Sequence, residues 1–175
     1  MLAEQSSYEY NSHLLQPVAV MSIEEILRRA QVTELILSPC VCVSRATPLG
    51  QVLERMRQER LGCVVVCEED RVVGIFTDRD VLMKVVGADV DRTSPIEAFM
   101  TPDPTIVRAR DRIWEAMRLM DEGGYRNLPL VDDNGRCRGI VSVGSIIDFL
   151  AAHFPTEVYN LPPRADQTFA APDGA

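Results

Sequence analysis

The sequence lacks any long hydrophobic run. No stretch of about 18 consecutive apolar residues, the length that a transmembrane helix requires, occurs in its 175 residues. Residues 1–16 also lack the basic segment and the apolar core of a secretory signal peptide. We therefore expect a cytoplasmic protein without a membrane span.

Basic residues are too few for a general polyanion-binding surface. The 18 Lys and Arg residues stand against 26 Asp and Glu residues, and the net charge of −8 makes the surface as a whole repel nucleic acid. Five of the eight negative charges lie in residues 1–37 and 153–175, so the chain between them is nearly balanced. Nucleic-acid binding is disfavoured, whereas a local phosphate site is not.

Histidine is scarce and cysteine is present in an odd number. The two histidines lie in the flanks, away from the pairs Cys40/Cys42 and Cys63/Cys67, so we predict no metal site. The chain is long enough to pack without covalent cross-links, and most of its five cysteines lie in apolar runs. They are therefore predicted to be reduced, buried thiols rather than a disulfide framework.

An internal repeat organises the middle of the chain. Segments 49–80 and 113–145 match at an offset of 64 over their first part and of 65 after it. Each begins with apolar residues at i, i+3, i+4 and i+7, which predict an amphipathic helix. The two helical stripes are Leu49, Val52, Leu53 and Met56, and Ile113, Ala116, Met117 and Met120.

Each copy of the repeat predicts a β-α-β-β-α unit. A short strand precedes the helix, and two apolar runs separated by an acidic turn predict a hairpin that leads into a second helix. In the first copy these strands and the last helix are 41–43, 63–67, 71–76 and 78–86. In the second copy they are 105–107, 128–131, 137–141 and 143–152.

The chain divides into four segments. A flank with one short helix comes first, two repeat units follow, and a Pro-rich tail without periodicity is predicted to be disordered or to lie extended. The segments are 1–37, 38–90, 91–153 and 154–175.

Two helix starts are predicted outside the repeated elements. Ser22 and Glu25 have the spacing of a capping box, which opens a short helix that ends near Ala30. Ser94 followed by Pro95 fits an N-cap residue with proline at the first helical position.

The turn between the last strand and the last helix of the first unit is the best candidate for a binding site. It runs from Gly74 to Asp80 and reads GIFTDRD. Backbone N–H groups at such a helix start favour phosphate, and Thr77 adds a hydroxyl. The Asp80 carboxylate can accept two hydrogen bonds from the vicinal hydroxyls of a ribose. Ile75 and Phe76 would supply apolar surface nearby.

A helix cap is the alternative interpretation of the same turn. Thr77 would be the N-cap residue and Asp80 would occupy the third helical position. That arrangement contributes about 1 kcal/mol to stability and requires no ligand.

The repeat and its turn resemble a tandem pair of CBS domains, also called a Bateman module. Two β-α-β-β-α units of about 60 residues, each with a Gly-apolar-x-Thr/Ser turn, account for this resemblance, which covers roughly residues 38–153. It implies an α/β (α+β) fold in which the two CBS repeats pack through their sheets as a pseudo-twofold pair, and pairs of this kind commonly dimerise. It also implies clefts that bind AMP, ADP, ATP or S-adenosylmethionine.

The resemblance assigns ligand contacts by position. Thr77 resembles the family's hydroxyl at the ribose and phosphate, and Asp80 resembles its ribose-binding carboxylate. The entry of the second repeat, 100–106, would complete this cleft and contact the adenine. Arg79 and Arg60 are alternative partners for a phosphate. The further residues implied for the site are Thr101, Pro104, Thr105 and Ile106.

The second repeat departs from this pattern. Ser142 keeps the hydroxyl, but Ser145 replaces the carboxylate, and Asp148 lies one helical turn too far away to substitute for it. Losing one such contact lowers affinity by about ten- to a hundredfold. We predict one competent site per chain and a degraded second site, to which Ser142 and the phosphate-contacting Arg126 would contribute.

The sequence predicts a regulatory protein rather than an enzyme. No His, Ser or Cys in the repeats has a recognisable general base beside it in a motif. A bound adenosine ligand, with no obligatory cofactor, would shift the arrangement of the repeats and signal to a partner protein. A structural dimerisation or interaction scaffold without a ligand is the alternative function. The sequence identifies neither the ligand nor the partner.

Overall fold

Both predicted units are present, each built on its own small sheet. The structure, a computed structural model, describes residues 22–154. The predictions for residues 1–21 and for the Pro-rich tail from residue 155 onward lie outside the described residues. Between residues 22 and 154, no helix is both long and apolar enough to cross a membrane.

The first unit follows the predicted order of strand, helix, hairpin and helix. The elements up to its end are α1 (Ile23–Arg29), β1 (Cys42–Ser44), α2 (Leu49–Glu59), β2 (Cys63–Glu68), β3 (Arg71–Thr77) and α3 (Asp78–Asp80), which continues as a π-helical turn (Val81–Val85). In the sheet, β1 is parallel to β2, and β2 is antiparallel to β3. Leu49, Val52 and Met56 of the predicted apolar stripe are buried.

The second unit repeats this order with a three-stranded sheet. Its elements are β5 (Val107–Arg108), α4 (Ile113–Gly123), β6 (Asn127–Val131), β7 (Cys137–Ser142) and α5 (Val143–His153). The strand β5 is parallel to β6, and β6 is antiparallel to β7. The strand β4 (Thr101–Pro102) precedes this unit in sequence but is antiparallel to β3 of the first sheet.

Both predicted hairpin turns are present. Glu69 and Asp70 both have positive φ, 47° and 65°, as a two-residue type I′ turn requires. In the second hairpin Gly135 takes the positive φ, 81°, while the Asp132 side chain accepts hydrogen bonds from the backbone N–H groups of Asn134 and Arg136. These local bonds fix the turn of the second hairpin.

Two helix predictions need correction. The helix expected at 78–86 begins as predicted but is wound as a π-helix over Val81–Val85, where the Val86 N–H donates to the Val81 carbonyl at 2.9 Å. The Ser94/Pro95 pair opens only a 3₁₀-helix, Ile96–Ala98. Pro95 rather than Ser94 is its N-cap residue, because the Pro95 backbone is extended, with ψ of 145°.

The segment that precedes each unit packs on the other unit. Leu27 of α1, Val32 and Leu35 are buried in the core of the second unit. Ile96 and Met100, which lead into the second unit, are buried in the core of the first. Each hydrophobic core is therefore completed by the segment that precedes the other unit in the sequence.

Matching backbone hydrogen bonds fix this exchange. The carbonyl of Ser94 accepts from the N–H of Leu49 at the start of α2, and the carbonyl of Ala30 accepts from the N–H of Ile113 at the start of α4, at 2.9 and 3.0 Å. Both pairs are related by the repeat offset of 64. The resulting pseudo-twofold relation between the two units agrees with the predicted fold class.

Two glycines make room for the exchanged segments. A Cβ atom built on Gly139 of β7 would lie 2.9 Å from Leu37 Cδ1 and 3.0 Å from Leu37 Cβ. A Cβ atom on Gly74 of β3 would lie 2.3 Å from the sulfur of Met100. Beside these contacts, Ser38 pairs with Ile140 in antiparallel fashion. A Cβ atom at either glycine would displace the side chain that crosses it.

The prediction of reduced, buried cysteines is wrong for three of the five. Cys40 and Cys137 form a disulfide that joins the two units across a sequence separation of 97 residues. Sequence spacing does not reveal this pair, because only the exchange brings the segment before β1 next to β7. Of the three free cysteines, Cys63 is buried, Cys67 is half-buried and Cys42 is exposed.

We expect Gly139→Ala to lower the free energy of unfolding by about 1–3 kcal/mol, as overpacking of a core does. The new methyl group would contact Leu37 Cβ, which cannot move without its backbone. Urea denaturation would measure the change. The control is Gly144→Ala in α5, where the nearest atom, Ser142 Oγ, is 3.5 Å away and alanine favours the helix. Equal urea midpoints for the two variants would contradict the close contact between Gly139 and Leu37.

Candidate functional site

A cavity of about 490 Å³ opens between the two units. The end of β3 and the helical segment after it form one wall, and β4 with the corner between α4 and β6 forms the other. A volume of about 300–1,000 Å³ is typical of small-molecule sites. The lining residues are Gly62, Ile75, Thr77, Asp78, Arg79, Asp80, Leu82, Met83, Thr101, Pro102, Asp103, Pro104, Thr105, Gly124, Tyr125, Arg126, Asn127 and Leu128.

Thr77 and Asp80 form a reciprocal helix cap at the cavity wall. The backbone N–H and the hydroxyl of Thr77 both donate to Asp80 Oδ2 at 2.9 Å, and the Asp80 N–H lies 3.5 Å from Thr77 Oγ1. The predicted capping arrangement is thus confirmed. It also holds both side chains at the cavity with little rotational freedom.

The second carboxylate oxygen of Asp80 has partners of its own. Oδ1 lies 2.7 Å from Lys84 Nζ and accepts a 3.3 Å hydrogen bond from the Thr101 hydroxyl. Lys84, the only lysine of the chain, also donates to the carbonyl of Phe99 at 2.6 Å. The Asp80 carboxylate therefore connects the helix start of one unit to the entry strand of the other.

Asp80 is held in its ionised form. Its side chain is almost fully buried, and burial raises its pKa, but the hydrogen bonds from Lys84 and Thr77 together outweigh that effect. The pKa of Asp80 therefore lies below its usual value. At neutral pH the cavity wall carries a fixed negative charge with an adjacent ammonium group.

The equivalent turn of the second unit has no carboxylate. Ser142 Oγ accepts a 3.0 Å hydrogen bond from the Ser145 N–H, and the two hydroxyl oxygens lie 2.9 Å apart. Ser145 is as buried as Asp80, with 5% exposure against 7%. The two turns share their backbone geometry and differ in charge.

Both units of the chain match one protein-family model. Residues 32–87 and 96–152 each match the family model of the CBS domain. The chain belongs to the CBS-domain family. The two units are its first and second CBS domains, and the cavity lies between them.

Curated relatives share this region of the chain. An uncharacterized 17.7 kDa protein of Acidianus ambivalens is 32% identical over 65% of this chain and 68% of its own length. An uncharacterized protein of Methanopyrus kandleri is 32% identical over 69% of this chain and 63% of its own length. About a third of each relative lies outside the similar region.

Solved structures of CBS-domain proteins share the fold. A CBS domain protein of Pyrobaculum aerophilum complexed with AMP has a TM-score of 0.64 and 22% identity, over 75% of this chain and 99% of that one. The protein CBSX2 in complex with AMP has a TM-score of 0.60 and 24% identity, over 70% of this chain and 96% of that one. At these identities the likeness establishes the CBS-pair architecture.

Most of the residues predicted for the first site lie together on the cavity. Those that line it are Thr77, Arg79, Asp80, Thr101, Pro104 and Thr105. Arg60 and Ile106 are not part of the lining; Arg60 ends α2 with a left-handed backbone, φ 53°. Phe76, which was expected to offer apolar surface to the site, is fully buried in the first core, because it alternates along β3 with Ile75 and Thr77.

Arg126 lies on this cavity, whereas Ser142 does not. The sequence predicts both for a degraded second site, and for Arg126 the structure corrects this prediction. Arg126 precedes β6, whose first residue, Asn127, approaches Gly62 of the first domain. The corner between α4 and β6 therefore faces the first domain's turn from Thr77 to Asp80 across the cavity.

Three prominent lining residues were missed by sequence reasoning. Leu82 and Met83 are 66% and 78% exposed and belong to the π-helical turn, whose unusual winding has no sequence signal. Tyr125 is 42% exposed and follows α4. The repeat gives no signal for Tyr125, because Leu61, the equivalent residue of the first unit, does not line the cavity.

Charged groups of both signs line the cavity. Arg79 and Arg126 supply cations, and Asp78 and Asp103 add acidic groups beside Asp80. The site can thus offer partners both to phosphate and to hydroxyl or amino groups. Over residues 22–154, no group of three or more His, Cys, Asp and Glu side chains is arranged to hold a metal ion.

We expect Asp80→Asn to lower the free energy of unfolding at pH 7 by about 1–2 kcal/mol, through loss of charged hydrogen bonds. The folded-state pKa lies below the unfolded value of about 3.9, so this stabilisation is complete above that pH. It disappears as the pH falls through the folded pKa. Urea denaturation between pH 3 and 7 should show the two proteins converging at low pH.

Asp78→Asn is the matched control for this pH series. Asp78 lies at the same helix start but makes no side-chain hydrogen bond to the other described residues. Its substitution should change stability by less than about 0.5 kcal/mol. A difference between wild type and Asp80→Asn that stays constant with pH would contradict the assignment of the charge as the stabilising feature.

Proposed function

We propose that the chain is a regulatory module that binds an adenosine-containing ligand in the cavity between its CBS domains. The observation that supports this most directly is the ionised Asp80 carboxylate on a cavity of about 490 Å³ that both domains line. The AMP complexes of the Pyrobaculum aerophilum protein and of CBSX2 support the ligand class.

The ribose would be recognised by Asp80. Vicinal hydroxyls are two donors at a spacing that one carboxylate can accept, and an ionised acceptor strengthens both bonds. The ligand hydroxyls would take the place of the Thr101 hydroxyl on Oδ1, which is the longer of its two contacts, 3.3 Å against 2.7 Å for Lys84. The cap that holds Oδ2 would remain in place.

A phosphate would be recognised by cations on the facing walls. Arg79 approaches Gly124 of the other domain, with its guanidinium nitrogen 3.7 Å from a Cβ built there, and Arg126 lies two residues further along. A phosphate between these arginines would draw the two domains together. We therefore favour AMP, ADP or ATP over S-adenosylmethionine, whose sulfonium group is positively charged.

Signalling would follow from the position of the ligand between the domains. A ligand that contacts both walls stabilises the arrangement in which they are close, and only this difference in affinity can do work on a partner. None of the residues that line the cavity is a His or a Cys, so the site lacks the usual nucleophile and base pairs. We propose that the chain is not an enzyme and acts in the cytoplasm on a partner protein.

A homodimer would cover the apolar residues that α5 and the π-helical turn expose. Val143 and Ile147 of α5 are 40% and 51% exposed, and Val86, which follows the π-helical turn, is 63% exposed. Ile147→Glu places a charge on this surface without touching the cavity. Light scattering should show a dimer for the wild type and a monomer for the variant, and an unchanged mass would contradict this interface.

A ligand-free interaction scaffold is the second candidate function. It is favoured by one observation: both oxygens of Asp80 already have partners within the chain. In that case Thr77 and Asp80 only cap a helix. Asp80→Ala would then lower thermal stability, and no adenosine compound would raise the melting temperature of the wild type.

Calorimetry of the full chain with AMP, ADP, ATP and S-adenosylmethionine distinguishes the two functions. We expect one nucleotide to bind per chain and Asp80→Ala to weaken binding by about ten- to a hundredfold. Ser145→Ala, at the equivalent position of the second CBS domain, should leave affinity unchanged. Absence of binding by all four compounds would contradict the proposed ligand class, and unaltered binding by Asp80→Ala would contradict the assigned site.

A second variant separates ligand contact from loss of the helix cap. Arg126 is exposed and makes no side-chain hydrogen bond to other described residues, so Arg126→Ala should fold normally. It should weaken AMP binding but not the binding of adenosine, which has no phosphate. Equal losses for AMP and adenosine would contradict the phosphate role of Arg126.

A further inference from the structure

Four of the five cysteines meet beside the seam between the CBS domains. Cys40 and Cys137 are joined by the disulfide. Cys42 Sγ lies 3.6 Å from Cys40 Sγ, and Cys67 Sγ lies 2.7 Å from Cys42 Sγ. The sulfur atoms thus form a continuous series of contacts, and none of these cysteines lines the cavity assigned to the ligand.

Cys42 has the properties of an attacking thiol. It is exposed, and it borders a hollow of about 270 Å³ that Arg55 also lines. The hydrogen bond from Cys67 lowers the pKa of Cys42 to about 7, helped by Arg55 and opposed by burial and by Asp70. A large fraction of Cys42 is therefore thiolate at neutral pH, next to a disulfide sulfur.

Cys67 has the properties of the second thiol of the pair. Its contact with Cys42 and its burial both raise its pKa, so it keeps its proton while Cys42 is ionised. It lies on β2, the strand that is paired in parallel with β1, which carries Cys42. The two thiols are held together by a sheet within the first CBS domain.

We propose that these four cysteines form a thiol–disulfide relay, which moves the bond between Cys40 and Cys137 to Cys42 and Cys67. The relay changes the covalent link between the domains without a change in the number of disulfides. It is independent of the proposed ligand.

The relay has two balanced exchange steps. Cys42 thiolate attacks Cys40 Sγ; the Cys40–Cys42 bond forms as the Cys40–Cys137 bond breaks, and Cys137 leaves as a thiolate. Cys67 then loses its proton and attacks Cys42 Sγ, and Cys40 leaves as a thiolate. Solvent returns the two protons that Cys42 and Cys67 lost to Cys40 and Cys137. Two thiols and one disulfide are present before and after, so no oxidant or reductant is consumed.

The relay would remove the disulfide that links the two domains. The Cys40–Cys137 bond closes a separation of 97 residues across the seam, whereas a Cys42–Cys67 bond would close a separation of 25 within the first sheet. In the relocated state, no disulfide links the CBS domains, and noncovalent contacts hold them together between residues 22 and 154. The two domains therefore have two states, one with and one without a disulfide between them.

Peptide mapping of the full chain without reductant tests the relay. Trypsin cleaves beside Arg29, Arg45, Arg60, Arg71 and the residues that flank Cys137, so peptide 30–45 is linked to 137–138 before the relay and to 61–71 after it. The purified protein is held at pH 8 without added oxidant and quenched in acid, and its free thiols are alkylated before digestion. We expect both linked species in the wild type, with one disulfide per chain in total.

Three variants assign the roles of the thiols. Cys42→Ser should show only the link to 137–138. Cys67→Ser should stop after the first step, with peptide 30–45 closed on itself and Cys137 free. Cys63→Ser is the matched control, because Cys63 is a free thiol on the same strand as Cys67 but outside the sulfur series, and it should behave as the wild type.

The rate of the first step, measured as the appearance of the free Cys137 thiol, should follow the ionisation of Cys42. It should rise about tenfold from pH 5 to pH 6 and level off above pH 8, because the thiolate fraction saturates above the pKa of about 7. A wild type that shows only the link to 137–138 at every pH would overturn the proposal. So would a relay that persists in Cys42→Ser, or a purified chain that holds one zinc ion and four reduced thiols in place of the disulfide.

Discussion

The close approach of two exchanged segments to two glycines is the constraint on which the architecture depends. Leu37 crosses β7 at Gly139, and Met100 crosses β3 at Gly74, so closely that a Cβ atom on either glycine would displace the crossing side chain. Each crossing delivers a segment into the core of the other CBS domain. Neither domain can bury its own core without its partner, so the two fold as one body. This explains why units of about 60 residues, which are marginal alone, are stable as a pair.

The same exchange builds the cavity. The strand β4 pairs with β3 because its preceding residues are anchored in the first core, and this pairing places Thr101 beside Asp80. The chain then continues through Pro104 and Thr105 along the cavity into the second domain. A ligand in this position therefore touches the connection itself. The segment that connects the two domains would thus also contact a bound ligand.

Local features were predictable from the sequence, and features of the exchange were not. The helix stripe beginning at Leu49, the acidic hairpin turns and the cap formed by Thr77 and Asp80 depend on residues within a few positions of each other, and all are confirmed. The Cys40–Cys137 disulfide depends on chain crossing between units, which no local pattern records. The position of Arg126 on the cavity was not predictable either, because it follows from the pseudo-twofold packing of the two domains.

The equivalent turns of the two CBS domains differ in charge, and this difference bears on the proposed function. Ser142 and Ser145 show that this backbone turn can be capped by two hydroxyl groups, with no charge to bury. The first domain instead buries a carboxylate to 7% exposure and needs Lys84, the only lysine of the chain, to balance it. Burying a charge costs free energy that its partners must offset, and a cap alone does not require it. The charge at Asp80 is therefore better explained by recognition of hydroxyl groups than by helix capping, which favours the ligand-binding function over the scaffold.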